Sequence, residues 1–254
     1  MNNNIFNNKK VIAFDLDGTL AESKSPINPK MSEVLSKLLK KYKIAIISGG
    51  SYTQFKKQVI DTFTNDESDF FSNLILFPTT GSSLYVYKDN QWICEYEELL
   101  NQEDKDKIVA AWEKSIKETN TILPTPSYGQ VIEDRGTQMS FSACGQDAPF
   151  SVKSTWDPDQ EKRKKVRDVM LPLIPEFSIN FGGTNTIDVT RSGVDKEYAI
   201  NKLISYLDIN KSDIIFMGDK LQIGGNDHPA VNSGVDCISV SNPNDTINVL
   251  IKLI

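Results

Sequence analysis

Histidine occurs once in the chain, at His228, and cysteine only at Cys94, Cys144 and Cys237. The cysteines are far apart and show no Cys-x-x-Cys or Cys/His ligand spacing, so neither a zinc site nor a disulfide framework is expected, and a reducing compartment fits. No stretch is long and apolar enough to span a bilayer, and the Asn-rich start, Met1 to Lys10, has no apolar signal core. A cytoplasmic protein with a frayed start is expected. Excess positive charge is missing too: 28 basic against 34 acidic residues leave a net charge of −6, which argues against nonspecific binding of nucleic acid. No low-complexity linker marks a boundary, so domains must be read from changes of pattern. At 254 residues the length suits one large domain or one domain carrying an inserted second.

What is present centres on Phe14-Asp15-Leu16-Asp17-Gly18-Thr19-Leu20, entered through the apolar run Val11-Ile12-Ala13-Phe14. The run reads as a buried strand, which delivers two carboxylates one residue apart at its carboxyl end. Two anions there repel and lose solvation unless a cation holds them, and a metal ion with a transferring phosphoryl group completes such a site. Asp15 and the backbone carbonyl of Asp17 can reach one hard cation while the Asp17 side chain stays free to handle a proton.

Downstream, Asn28-Pro29 offers a helix N-cap and first turn, followed by Met31, Val34, Leu35, Leu38 and Leu39 at helical spacing. Ile44–Ile47 reads as a second buried strand ending in Ser48-Gly49-Gly50, before a helix led by Ser51 with Phe55, Val59 and Phe63 behind it. A hydroxyl, two glycines and a helix start can form an anion cradle, although Ser-Gly-Gly by itself also reads as a plain turn. After a third strand, Asn73–Phe77, the pattern alternates from Leu84 to Tyr87 and returns through Trp92-Ile93-Cys94, a hairpin signature at which the βαβ rhythm stops. A helix over about Asp104 to Lys117, a half-exposed strand Gln138–Ala143, a helix opened by Asp157-Pro158 with Gln160 as capping-box partner, and strands near Phe177–Ile179 and Thr186–Val189 follow. Lys162 to Lys165 reads as the solvated face of its helix, with phosphate binding as the second reading.

The first rhythm then resumes. Asp195 reads as an N-cap that places Lys196 in the first turn of a helix, where a cation opposes the helix dipole and an anionic neighbour would offset it. Asp213–Met217 is the next strand, with Asp219 at its end as candidate metal ligand and Asn226 and Asp227 on the loop beyond in support. His228 has a structural reading, because Asp17 already supplies the proton-handling group. The expected fold class is α/β: a Rossmann-like, mostly parallel sheet core over residues 1–83 and 189–254, with an inserted α+β cap over 84–188.

Asp-x-Asp-Gly-Thr-Leu after an apolar strand, with Ser48, Lys196 and Asp219 following in order, resembles the motif set of the haloacid dehalogenase-like phosphotransferases. That resemblance implies Asp15 as nucleophile, Asp17 as general acid/base, Ser48 and Gly49 on phosphoryl oxygens, Lys196 as the neutralising cation and Mg²⁺ as cofactor. Phe77–Tyr85, Ile132-Glu133-Asp134-Arg135, Gly182-Gly183 and Gly218–Lys220 with Gly224–His228 are similar to the eukaryotic-type phosphomannomutases, over essentially the whole chain after residue 10. By position, Arg135 would match an arginine that grips the distal phosphate, and Thr186 and Asp188 a hydroxyl-binding pair.

One departure bears on the reaction. Where that family has an arginine, Ser142-Ala143-Cys144-Gly145 is followed by Gln146, which lacks the charged, bidentate grip of an arginine on phosphate. The sequence therefore favours a Mg²⁺-dependent phosphatase of a sugar phosphate or similar small phosphomonoester, with phosphomannomutase as the alternative and a silent sugar-phosphate sensor behind both. The expected partner is a small phosphorylated substrate, with no nucleic acid and no membrane; a homodimer stays open.

Overall fold

A computed structural model describes residues 3–64 and 70–254. Met1 and Asn2 lie outside the described residues. From Asn3 onward the expectation of a frayed start is corrected: Asn3–Phe6 is a 3-10 turn, Phe6 is buried, and the Lys10 N–H donates to the Asp213 carbonyl at 2.8 Å.

The chain opens with β1 (Val11–Phe14), α1 (Pro29–Leu39), β2 (Lys43–Ile47), α2 (Tyr52–Gln58) and β3 (Leu74–Phe77). Local signals set the helix starts: Asn28 caps α1 by accepting the Met31 N–H, and Ser51 with Gln54 forms a capping box on α2. Phe63, expected on α2, lies beyond its end at Gln58. Next come the antiparallel strands β4 (Ser83–Lys88) and β5 (Gln91–Glu97).

An inserted unit follows with α3 (Gln102–Glu118), β6 (Ile132–Asp134), β7 (Gln138–Ser142), α4 (Phe150–Trp156), α5 (Glu161–Met170), β8 (Phe177–Gly182) and β9 (Thr186–Arg191). The chain returns through α6 (Lys196–Leu207), β10 (Ile214–Gly218), α7 (His228–Asn232), β11 (Asp236–Ser239) and α8 (Pro243–Leu250).

The first sheet has the order β11-β10-β1-β2-β3-β4-β5, and its first five strands are parallel. Alternation along each strand supplies both faces. Ile12, Phe14, Ile44 and Ile46 meet α1 residues Met31, Leu35 and Leu38 on one side. Val11, Ala13, Ala45 and Ile47 meet Ala199, Ile200 and Leu203 of α6 on the other. The second sheet, β6-β7-β9-β8, is antiparallel. Met139, Phe141, Ile187 and Val189 line one of its faces with Trp112 of α3 and Val166 of α5.

The chain divides into Met1–Glu97 with Asp195–Ile254, and Glu98–Val194. Both boundaries differ from the expected 83/84 and 188/189. The hairpin β4–β5 hydrogen-bonds to β3 and so extends the first sheet, whereas an alternating pattern alone says only that a hairpin exists. Three local expectations in the inserted unit are also corrected. β7 is buried along its whole length rather than half-exposed. Asp157 ends α4, and α5 starts at Glu161 behind a left-handed Gln160 that makes no side-chain cap. Within the run Lys162 to Lys165, Arg163 is buried: its Nε donates to Asp157 Oδ2 at 2.8 Å and its guanidinium stacks on Phe181.

Candidate active site

The Asp15 N–H donates to the Met217 carbonyl at 3.0 Å, which prolongs the β1–β10 ladder by one residue and plants the carboxyl group beside the end of β10. The chain then turns sharply: the N–H groups of Leu20 and Ala21 donate to the Leu16 carbonyl, and Gly18 adopts a φ of 95°. Glycine is required there on two counts. Its φ is left-handed, and a Cβ would stand 2.6 Å from Asp219 Oδ2.

Five charged side chains converge at this point. Lys196, the first residue of α6, reaches Asp15 Oδ1 at 2.5 Å and also donates to Asp227 Oδ1. Asp227 precedes α7 and accepts the Lys220 N–H on its other oxygen at 2.8 Å. Asp219 follows β10 and lies 3.2 Å from the Lys220 ammonium. Carboxylate oxygens of Asp15, Asp219 and Asp227 lie within 4.8 Å of one another. Among the described residues, Asp15 Oδ2 and Asp219 Oδ1 are buried with no hydrogen-bond partner.

The electrostatics express this imbalance. Burial pushes the Asp15 carboxyl up to about 7, Lys196 opposes that shift, and Asp227 and Asp219 add to it. Asp219 is raised as well, again first by burial, with Lys220 opposing. Burial alone would lower Lys196, but the two carboxylates it bridges outweigh that and hold it protonated. Three clustered carboxylates with one buried ammonium and one half-exposed lysine keep a negative surplus. A hard divalent cation suits such an all-oxygen donor set, in which Asp219 Oδ1 is left without a partner, so the residues present fit Mg²⁺.

Asp17 stands outside this carboxylate cluster. Its side chain, expected to stay free to handle a proton, is held on one oxygen: Oδ1 accepts the Lys24 N–H at 2.7 Å and Gln58 Nε2 at 3.1 Å. The connector after Ala21 folds back with Lys24 at a φ of 56°, which brings that donor into reach. Ser48 is buried at the end of β2, and its Oγ faces the Gly50 N–H at 3.5 Å, with Gly49 between them. Asn226 is exposed on the loop before Asp227. His228 Nδ1 bonds the Leu221 carbonyl at 3.0 Å and ties that loop to α7.

Within the inserted unit, Arg135 holds Glu133 Oε2 through Nε at 2.9 Å and through Nη2 at 2.6 Å, and its Nη1 lies 3.9 Å from Asp188 Oδ1. The same Asp188 oxygen accepts Ser140 Oγ at 2.7 Å. Thr186 neighbours Ser142 across the β7–β9 ladder, and its Oγ1 lies 3.4 Å from Asn185 Oδ1. The Gln146 carbonyl accepts the buried Lys153 ammonium at 3.0 Å. The sequence pattern gives Ser140 and Lys153 no role, and Glu133 only a place in the Ile132–Arg135 run. It placed Asp227 in support of a ligand, although Asp227 is a full member of the acidic cluster. Glu133 was visible two residues before Arg135; nothing local signals Lys153.

The sequence model of the haloacid dehalogenase-like hydrolase family matches residues 12–247. The chain belongs to that family. Among curated relatives of this haloacid dehalogenase-like chain, phosphomannomutase 2 of Dictyostelium discoideum is 25% identical over 96% of both chains. The phosphomannomutase of Schizosaccharomyces pombe is 27% identical over 96% of this chain and 94% of that one. Among solved structures, the N-terminally truncated IMP-nucleotidase of Plasmodium falciparum shares the fold with a TM-score of 0.74 at 18% identity, over 98% of this chain and 71% of that one. A haloacid dehalogenase-like hydrolase of Bacteroides thetaiotaomicron gives 0.64 at 14% identity, over 97% and 100%. No helix among the described residues is long and apolar enough to cross a membrane.

Proposed function

We propose that this protein transfers a phosphoryl group from a small phosphorylated sugar to Asp15, and that its net reaction is the interconversion of mannose 6-phosphate and mannose 1-phosphate. The observation that carries phosphoryl transfer is the buried, unpartnered Asp15 Oδ2 at the end of β1, beside Lys196 and Asp219. An oxygen so placed is desolvated and held in position, which is what attack on phosphorus requires.

Asp15 Oδ2 attacks phosphorus, the bond from phosphorus to the sugar oxygen breaks, and Asp17 gives that oxygen its proton through the carboxylate oxygen not held by Lys24 and Gln58. In the second displacement an acceptor hydroxyl loses its proton to Asp17 as its oxygen attacks the aspartyl phosphate. Lys196, Ser48 and Gly49 hold the phosphoryl oxygens as charge builds on them. Asp15, Asp219 and Asp227 would hold Mg²⁺, with the Asp17 carbonyl as a further oxygen. When bound, that ion offsets the negative charge of the incoming group.

Mutase and phosphatase differ here only in the acceptor, a sugar hydroxyl or water. The phosphomannomutase relatives, aligned over nearly the whole chain, favour the sugar. Lys153 supplies a cation at the loop where Gln146 is neutral, which weakens the argument that this end cannot hold a phosphate. Hydrolysis is the second reading, favoured by the missing arginine at Gln146. In either case the inserted unit binds the sugar through Arg135, Gln146, Thr186 and Asp188, and the setting is cytoplasmic.

Mannose 6-phosphate supplied with Mg²⁺ and a hexose bisphosphate tests this directly by phosphorus NMR. Appearance of the 1-phosphate faster than inorganic phosphate supports the mutase. Phosphate release without interconversion establishes the second reading, and no turnover of any phosphorylated sugar removes both.

A further inference from the structure

The turn after β3 is left-handed at two successive threonines, Thr79 with a φ of 49° and Thr80 with a φ of 59°. A branched Cβ crowds the backbone in that region, so such a pair persists only where surrounding contacts impose it. The contacts come from two sides. The Thr79 N–H donates to the Gly50 carbonyl and the Thr80 N–H to the Ser48 carbonyl, both at 2.9 Å. A trans peptide directs its N–H opposite to its carbonyl, so fixing the Ser48 carbonyl on Thr80 turns the Gly49 N–H to the opposite side.

Toward α6, Gly81 lies so close that a Cβ on it would stand 2.5 Å from Ala199 Cβ and 2.9 Å from Ala199 Cα. Ala199 is one helical turn beyond Lys196. The turn is clamped further by Ser82 Oγ, which donates to the Thr79 carbonyl and lies 2.8 Å from Thr79 Oγ1, and by Tyr96 Oη, which donates to the Gly81 carbonyl at 2.7 Å.

We propose that the Thr79–Gly81 turn is a positioning element whose left-handed backbone sets the register between the Ser48–Gly50 loop and Lys196, so that both reach one phosphoryl group. This inference rests on the phosphotransfer reading above. The role belongs to the backbone: the threonine side chains need not touch substrate.

Two variants separate backbone from side chain. Gly81→Ala drives a methyl group into α6, whereas Thr80→Asn keeps the left-handed turn, which asparagine tolerates. Kinetics on the preferred phosphorylated sugar and the rise in melting temperature caused by inorganic phosphate are measured for both variants and the wild type. Folded Gly81→Ala should lose about 10²-fold in kcat, with KM changed far less, and its phosphate-induced stabilisation should shrink. Thr80→Asn should keep kcat and KM within about twofold and melt at a higher temperature than the wild type.

Wild-type kinetics in Gly81→Ala overturn the proposal, as does loss of activity in folded Thr80→Asn. If Gly81→Ala does not fold, Ser82→Ala, which removes only the hydroxyl clamp, should cost about threefold to tenfold in kcat, and an unchanged kcat overturns the proposal. A wild type that is stabilised by phosphate but never turns over defeats the phosphotransfer reading alone. The positioning role then stands or falls on whether Gly81→Ala weakens that stabilisation. A wild type that does neither defeats both.

Discussion

Asp157 with Arg163 in the inserted unit and Asp15 with Lys196 in the α/β unit are both buried ion pairs, yet they are completed in opposite ways. Around Asp157 every oxygen is used: Oδ1 accepts the Lys162 N–H, Oδ2 accepts Arg163 Nε, and the Arg163 guanidinium stacks on Phe181. Around Asp15 the account stays open, with Oδ2 unpartnered and two further carboxylates crowding the same lysine. A closed pair holds the structure in place, whereas an open one keeps a desolvated charge available for a ligand or a reaction. Arg135 and Asp188 fall between the two: the arginine is held by Glu133 yet stays within 3.9 Å of Asp188.

The largest effect that could break this contrast is at Asp15 itself. Asp15→Asn should lower the proposed phosphotransfer by more than roughly 10³-fold, because it removes the oxygen proposed to attack while nearly keeping the shape. The same variant probes the stored charge through pH. The Asp15 carboxyl is raised from 3.8 to about 7 in the fold, so without metal the native state holds more protons than the unfolded chain between those values. Stability from this group is therefore lost as pH rises from about 4 to 7, by at most about 1.4 kcal/mol per pH unit. Asparagine has no such dependence. In chelator, the melting temperature of Asp15→Asn relative to wild type should climb across that window and level off above it; a constant offset would show that Asp15 is not held out of balance.

Next in size is Asp17→Asn, expected to cost roughly 10²–10⁴-fold on a sugar phosphate. An activated aryl phosphate, whose leaving group needs no proton, should lose less in a burst measurement of the first displacement. Equal losses on the two substrates would move Asp17 from proton transfer to holding the loop through Lys24 and Gln58.

Asp219→Ala removes the other unpartnered oxygen and should raise the Mg²⁺ concentration for half-maximal activity at least roughly tenfold, with EDTA abolishing turnover of the wild type. Full activity in chelator would mean that the surplus of carboxylates serves something other than a cation.

The smallest effect belongs to the inserted unit. Gln146→Arg should tighten binding of a hexose bisphosphate by about tenfold, since one charge-assisted contact is added beside Lys153. Calorimetric titration of both proteins would measure it. An unchanged affinity in Gln146→Arg, together with a large loss in Lys153→Gln, would sharpen the comparison by assigning the phosphate grip to α4.

The amino-acid sequence alone determined the parts that depend on neighbours in the chain. The buried β1 run, the caps at Asn28, Ser51 and Asp195, and the placement of Asp15, Ser48, Lys196 and Asp219 at strand ends or helix starts all follow from periodicity and local hydrogen bonding. Only the tertiary structure decided which distant groups meet. It joined the β4–β5 hairpin to the first sheet, drew Asp227 onto Lys196, closed Arg163 on Asp157, tied Asp17 to Gln58 and forced Thr79 and Thr80 into a left-handed turn. The physical reason is that local propensities act over a few residues, whereas these outcomes depend on desolvation and charge compensation between segments that approach only once the sheets have packed.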